Sequence, residues 1–178
     1  MSTNNRQWRV TDYPRANEPI GPQHFEWTSE PLPQVADGEF LVRTICLAPG
    51  PAQRGYLEKS QSAFFGDPMP IGSIMRGRGI GEVVVSNHPD YQPGDIFLGS
   101  LGWQDYSVQK PVGSEFVFST RKISKPRQPL SLHLGILGQA GGTAYFGLLE
   151  GAGIQSGDNV LISAAAGKVK PEGRYHRS

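Results

Sequence analysis

The sequence predicts a mainly β fold, a barrel of short strands, followed by the beginning of an α/β unit. Glycine and proline account for 23 and 15 of the 178 residues, well above ordinary usage. Short apolar runs separated by turn signals recur over residues 1–130, at the spacing expected of a barrel or sandwich. After Pro129 the pattern changes to helical segments and one longer apolar run. These observations together favour a β-barrel joined to the start of a second, α/β domain.

The first strands of the predicted barrel are interrupted by prolines. Residues 6–10 are predicted to form a strand, and residues 25–28 a second, short strand inside a proline-rich stretch. Residues 39–47 (EFLVRTICL) have the composition of a buried strand. The tripeptide 49–51 (PGP) ends that strand, and one or two helical turns are expected within residues 52–60.

Three glycines lie close to the predicted central strand. Gly77, Gly79 and Gly81 precede residues 82–85 (EVVV), and glycines at such a place permit a bulge or a close backbone approach. Further strands are expected at residues 96–98, 103–108 and 116–123. This series completes the barrel.

The α/β unit is predicted from two helical segments and one apolar strand. Residues 131–137 and 143–149 are expected to be helical, and residues 159–163 (NVLIS) read as a parallel-sheet strand buried on both faces. The predicted domains are therefore residues 1–130, residues 131–167, and a polar tail at residues 168–178.

Charge and cysteine content exclude several classes of function. The net charge is +1 and no basic stripe is present, so we expect no nucleic-acid partner. No signal peptide or membrane-spanning run is apparent, which predicts a soluble, cytoplasmic protein. The single cysteine, Cys46, cannot form an internal disulfide or a C-x-x-C zinc site, and we expect a buried thiol. The four histidines show no metal-ligand spacing: His24, His88, His133 and His176.

Five short motifs occur in a specific order and spacing. They are residues 51–55 (PAQRG), 86–95 (SNHPDYQPGD), 102–106 (GWQDY), 142–149 (GTAYFGLL) and 160–167 (VLISAAAG). Together they resemble the zinc-independent branch of the medium-chain dehydrogenase/reductases. That branch contains leukotriene B4 dehydrogenase, prostaglandin reductase, plant double-bond reductases and bacterial curcumin reductase. The resemblance covers residues 6–167.

The resemblance implies a GroES-like β-barrel followed by an NADP-binding Rossmann domain. Members of the branch transfer a hydride from NADPH to the carbon–carbon double bond of α,β-unsaturated ketones and aldehydes, and the full-length proteins pair as homodimers. Their chemistry uses no metal. Consistent with this, residues 77–82 (GRGIGE) lack the histidine of zinc-dependent relatives.

The resemblance also implies cofactor-binding residues. Thr143 falls beside the nicotinamide, while Ala166 and Gly167 fall at the start of the phosphate loop. The alternative for Thr143 is an ordinary helical residue near a glycine pair. We leave both roles open for it.

The resemblance further implies that the substrate-lining positions of the plant relatives fall on Ala52 and Arg78. Arg78 could polarise a carbonyl or bind a carboxylate, or it could be a plain surface arginine. Tyr56 is a candidate pocket aromatic, with core packing as its alternative. We expect an α,β-unsaturated ketone or aldehyde as the small-molecule partner.

The end of the chain departs from the branch. Lys170 replaces the phosphate-loop glycine, and Pro171 stands where the next helix should continue. We therefore expect a C-terminally truncated reductase, inactive or weak alone. The alternative is a non-catalytic isoform, a folded barrel that acts as a partner of full-length subunits. Gly167-Lys168 can be encoded as GGT-AAG, which suggests the hypothesis of a retained intron or a gene-model error.

Overall fold

Two compact units make up the chain, Met1–Lys125 and Pro126–Ser178. The structure, a computed structural model, describes residues 4–58, 67–110 and 120–162. The first unit holds the strands of the described residues and the second holds helical segments. The predicted domain change at residue 130 lies close to this division.

The strands of the first unit are antiparallel and form a two-stranded and a five-stranded sheet. Over the described residues the strands are β1 (Asn4–Val10), β2 (Phe25–Pro31), β3 (Phe40–Leu47), β4 (Arg78–Ser86), β5 (Ile96–Ser100), β6 (Tyr106–Gln109) and β7 (Arg121–Lys122). Each coincides at least in part with a predicted strand. Residues 116–119 of the last predicted strand lie outside the described ranges.

β4 is the middle strand of the five-stranded sheet, whose order is β6-β3-β4-β5-β7. This confirms the central strand expected from the sequence. The glycines lie within β4 or next to it rather than ahead of it, and the register shifts twice along β3, at Leu41/Val42 and at Thr44/Cys46. A Cβ at Gly81 would collide with the Arg43 carbonyl, so the expected close backbone approach occurs here.

Backbone hydrogen bonds tie β1 to the loops around the larger sheet. The Trp8 amide donates to the Trp103 carbonyl at 2.9 Å, and the Met75 amide donates to the Trp8 carbonyl at 2.9 Å. The Val10 amide donates to Ser73 in the same way. β1 therefore fixes the segments that precede β4 and follow β5.

The core of the first unit consists of two apolar clusters. Phe40 is the centre of the first, because it stacks on Tyr91 with ring centroids 4.1 Å apart and meets Phe97 edge-on at 5.1 Å. The second lies under β1 and includes the fully buried Leu57 and Met75. Burial of such side chains contributes roughly 1.5–3 kcal/mol each.

The helical parts are short. The expected turns after β3 appear as α1 (Ala52–Gly55), a single turn. The second unit has a 3₁₀ helix at Leu130–Leu134, helix α2 (Gln139–Tyr145) and a π-helical segment at Phe146–Gly151. In the part of the chain that is described, no helix combines the length and the hydropathy needed to cross a bilayer.

The predicted strand at residues 159–163 is not formed over residues 159–162, and residue 163 lies outside the described ranges. Leu161 is 98% exposed, although burial on both faces was expected. A parallel strand exists only when neighbouring strands complete its hydrogen bonds. Within the described residues of the second unit, no other strand is present to do so.

Candidate functional site

Arg78, a predicted substrate residue, begins the central strand β4 opposite Ser100 of β5. Its carbonyl accepts a hydrogen bond from the Ala48 amide at 2.8 Å, which holds the chain that leaves β3 beside it. Arg121 lies opposite Leu98, two residues before Ser100 on β5, so both arginines belong to one face of the sheet. Burial, and then the Arg121 charge, lower the pKa of Arg78 from its ordinary value. An arginine is nevertheless protonated at neutral pH, so Arg78 presents a fixed cation.

Ala52 and Tyr56 are the first residue and the C-cap of the same helical turn, and the Tyr56 amide donates to the Ala52 carbonyl at 3.2 Å. The Tyr56 ring packs against the cluster around Leu57 and Met75. The Arg76 guanidinium carbon lies 5.4 Å from its centroid. The geometry therefore favours the core-packing alternative for Tyr56, while Ala52 is half-buried at the start of the turn.

Gln53 was missed by the sequence analysis. Its side-chain oxygen accepts a hydrogen bond from the Gly50 amide, and its side-chain nitrogen donates to the Ala48 carbonyl at 3.5 Å. Gln53 is 9% exposed. This amide thus fixes the loop between β3 and α1. The available signal in the sequence was a side-chain amide two residues after PGP.

The predicted cofactor residues are only partly described. Thr143 lies in α2, is exposed, and its hydroxyl donates to the Gln139 carbonyl at 2.8 Å, as in an ordinary helical threonine. Ala166 and Gly167 lie outside the described residues. Thr143 and Arg78 belong to different compact units.

Cys46 departs from the expectation of a buried thiol, because it is only partly buried. β6 pairs with Phe40–Arg43 of β3, so the part of β3 that contains Cys46 lies beyond the stretch paired with β6. Burial of the sulfur raises the pKa of Cys46, and the Ile80 backbone offsets part of this effect. The thiol is therefore neutral at physiological pH.

Three of the four histidines have structural partners. A ring nitrogen accepts a backbone N–H in each: His24 from Gly21, His88 from Asp90, and His133 from Arg127, over 2.9–3.1 Å. Among the described residues, no three His, Cys, Asp or Glu side chains are grouped as a metal site would require.

A cleft of about 450 Å³ opens where β1, β2 and β3 meet the turn before β6. All three tryptophans of the chain line it, and we call it the tryptophan cleft. Trp8 and Trp27 are paired across β1 and β2, with centroids 4.8 Å apart and planes at 65°. Trp103 reaches the cleft from its turn. Residues 44–47 of β3 form the wall beneath the indoles.

Comparison with known proteins agrees with this fold. The family described as "N-terminal domain of oxidoreductase" matches residues 6–117. The chain is 36% identical over 165 residues to the NADPH-dependent curcumin reductase of Escherichia coli K12, covering 93% of this chain and 45% of that protein. It is 34% identical over 131 residues to the NADP(+)-dependent 2-alkenal reductase of Nicotiana tabacum, covering 74% and 36%.

Among solved structures, CurA from Vibrio vulnificus superposes with a TM-score of 0.77 at 30% identity. The match covers 93% of this chain and 46% of CurA. A second structure, CurA in complex with NADPH, also has a TM-score of 0.77. The chain therefore spans less than half the length of these relatives.

The fold and the matched family define an oxidoreductase N-terminal domain. The chain belongs to this family, within the branch of the medium-chain dehydrogenase/reductases that includes curcumin, 2-alkenal and prostaglandin reductases.

Proposed function

We propose that this chain provides the barrel half of an NADPH-dependent reductase that acts on the double bond of α,β-unsaturated ketones or aldehydes. The observation that carries the proposal is the similarity to curcumin reductase over 93% of the chain. In such a reductase NADPH supplies the hydride. The barrel supplies the residues that position the substrate.

Arg78 is the residue proposed to meet the substrate oxygen. An unsaturated carbonyl compound gains negative charge at its oxygen as the β-carbon accepts a hydride, and a fixed cation nearby stabilises that charge. The Ala48 hydrogen bond and the position of Arg78 in the central strand hold its backbone in place. The small side chain of Ala52 leaves space at the neighbouring turn. By resemblance to the plant double-bond reductases, both residues are candidates for lining the substrate.

The chain alone is proposed to be inactive or weakly active. Thr143 donates its hydroxyl to its own helix, and residues 159–162 do not form the strand that leads to the phosphate loop. The described residues of the second unit therefore do not fit NADPH. NADPH titration of the purified chain, followed by tryptophan fluorescence, should show no saturable binding. Saturable binding with turnover of a simple enone would contradict this statement.

A chimera tests the substrate role directly. We would join residues 1–125, one compact unit, to the cofactor domain of the E. coli curcumin reductase and follow NADPH oxidation at 340 nm with neutral enones. The expected result is enone-dependent oxidation. The assignment would be refuted by a folded chimera that binds NADPH but does not oxidise it in the presence of any of the enones.

The Arg78→Gln variant of the same chimera should lower kcat/KM by roughly 10²-fold, in the range found when one oxyanion-stabilising donor is removed. Arg43→Gln is the matched control, because Arg43 is an exposed arginine of the same sheet that pairs with Glu82. It should leave kcat/KM unchanged. Equal losses in both variants would point to a general effect of charge or stability.

A second candidate function is that of a non-catalytic partner of full-length subunits. It is favoured by the apolar side chains exposed on the second unit, where Tyr145 is 57% and Phe146 63% exposed. Exposed apolar clusters of this kind mark interaction surfaces. Co-sedimentation of the chain with a full-length reductase of the branch would distinguish this function from a purely catalytic one.

A further inference from the structure

The tryptophan cleft concentrates the chain's largest apolar side chains at one exposed place. Trp27 is 49% exposed, Trp8 36%, and Ile45 on the adjoining strand 46%. Indole rings in the core of a domain bury most of their surface, and clustered exposed aromatic side chains mark a binding surface. The cleft shares no lining residue with the positions Ala52, Tyr56 and Arg78.

The charged and amide groups that line the cleft are already engaged by the protein, whereas the buried Thr44 hydroxyl has no hydrogen-bond partner. Arg6 donates to both carboxylate oxygens of Asp105, at 2.6 and 3.2 Å, so the two charges neutralise each other. The Gln104 amide donates to the Leu101 carbonyl at 2.7 Å, and its oxygen accepts from Asn5 at 3.1 Å. A charged ligand would have to compete with these bonds. The contacts left for a ligand are aromatic and aliphatic, with the Thr44 hydroxyl as one polar group.

The volume and shape of the cleft suit a small molecule. Its volume of about 450 Å³ lies in the usual range for small-molecule sites, roughly 300–1,000 Å³. Trp8 and Trp27 meet at 65°, so they form a corner rather than two parallel walls. A flat ring can lie on the face of one indole and contact the edge of the other, which is a favourable aromatic geometry.

We propose that the tryptophan cleft binds an uncharged, planar aromatic molecule of about two fused rings. Recognition comes from contact with the three indoles and with residues 44–47 of β3. The Arg6–Asp105 pair closes one side of the cleft and gives it no net charge. The Cys46 thiol adds a neutral, polarisable contact in the same wall.

The test follows the three indole N–H signals of the ¹⁵N-labelled, full 178-residue chain by NMR. The probe is 2-naphthalenemethanol, which is uncharged, and 2-naphthoate is its charged analogue of similar size. The expected result is that all three indole signals shift with one common Kd. The affinity for 2-naphthoate should be at least about tenfold weaker, because no uncompensated cation lines the cleft among the described residues.

Two isoleucine variants localise the binding. Ile45→Glu places a charge in the wall of the cleft and should weaken binding of 2-naphthalenemethanol at least about tenfold. Ile71→Glu is the matched control, since Ile71 is 52% exposed and does not line the cleft. It should bind the probe like the unmodified chain. Both positions are exposed, so urea midpoints within error of the parent are expected.

Three results would overturn the proposal. The first is that the indole N–H signals show no change in chemical shift at any probe concentration up to its solubility limit. The second is equal affinity of the two isoleucine variants, because the probe would then bind elsewhere, for instance on the apolar side chains of the second unit. The third is that the indole signals shift with protein concentration in the absence of probe, which would identify a second copy of the chain as the occupant.

Discussion

Alanine in place of Gly79 introduces one methyl group at a crowded point of the central strand. Gly79 is buried between β3 and β5, opposite Leu47 and Gly99. A Cβ there would lie 2.7 Å from the Cys46 carbonyl oxygen and 2.8 Å from Leu47 Cδ2, where ordinary contact begins at 3.4 Å. The oxygen belongs to the backbone of a paired strand, so it cannot rotate away. The strand must shift or the methyl group remains strained.

The expected loss of stability is about 2 kcal/mol. Overpacking in a rigid environment costs roughly 1–3 kcal/mol, and the upper end applies because backbone is involved. Loss of glycine's chain entropy offsets roughly 0.5–1 kcal/mol of this cost. Urea unfolding followed by tryptophan fluorescence measures the effect, since all three tryptophans lie in the first unit. If the free energy of unfolding falls by about 2 kcal/mol per molar urea, the urea concentration at the unfolding midpoint should fall by about 1 M.

Gly21→Ala provides the control for this reasoning. Its added Cβ would also come very close to a neighbouring atom, but that atom is the side-chain oxygen of Gln23, at the end of a flexible and exposed chain. The glutamine can move, so the expected change is within about 0.5 kcal/mol. Equal stability of Gly79→Ala and the parent would show that the β3–β4 contact is not rigid and would refute the argument.

Three further predictions concern single groups. Burial opposes ionisation of Asp95, but Lys122, which donates to it at 2.8 Å, and the Gln92 amide lower its pKa below the ordinary value. Because the folded pKa is lowered, the ionised Asp95 stabilises the fold above its unfolded pKa, and this contribution is lost as the pH falls through the folded pKa. Asp95→Asn should therefore cost about 0.5–1 kcal/mol at pH 7 and progressively less as the pH falls through that range, measured by unfolding at each pH. Because burial raises the pKa of Cys46, a thiol reagent such as DTNB should react several-fold more slowly at pH 8 with the folded chain than with the urea-unfolded chain. Phe146→Glu should reduce concentration-dependent association in sedimentation velocity, since Phe146 is 63% exposed, and an unchanged profile would exclude this surface.

Local patterns in the sequence were sufficient to predict the mainly β fold of the first unit. Alternating and β-branched runs bounded by glycine and proline define where strands begin and end, and each observed strand coincides at least in part with such a run. The apolar run EVVV and the glycines beside it indicated the middle strand, because a strand paired on both sides is buried and its glycines permit close approach of a neighbouring backbone. The order and spacing of five motifs identified the family, which the comparisons confirm.

The candidate substrate positions were predicted by resemblance, but their surroundings depend on distant residues. The partners of Tyr56 include Met69 and Met75, and those of Arg78 include Ala48 and Arg121. Such contacts join strands and loops far apart in the chain, and no local pattern encodes them. The hydrogen bonds of Gln53 and of the three described histidines are different, because their partners lie within six residues in the chain.

The sequence by itself determined the fold class, the family and the succession of strands, because these follow from local periodicity, turn residues and motif spacing. Only the tertiary structure decided which residues meet. Trp8, Trp27 and Trp103 are isolated in the sequence, yet the β1–β2 pairing and the bond between the Trp8 amide and the Trp103 carbonyl bring them to one cleft. The structure likewise leaves Leu161 exposed, because an apolar run becomes a buried strand only where partner strands surround it.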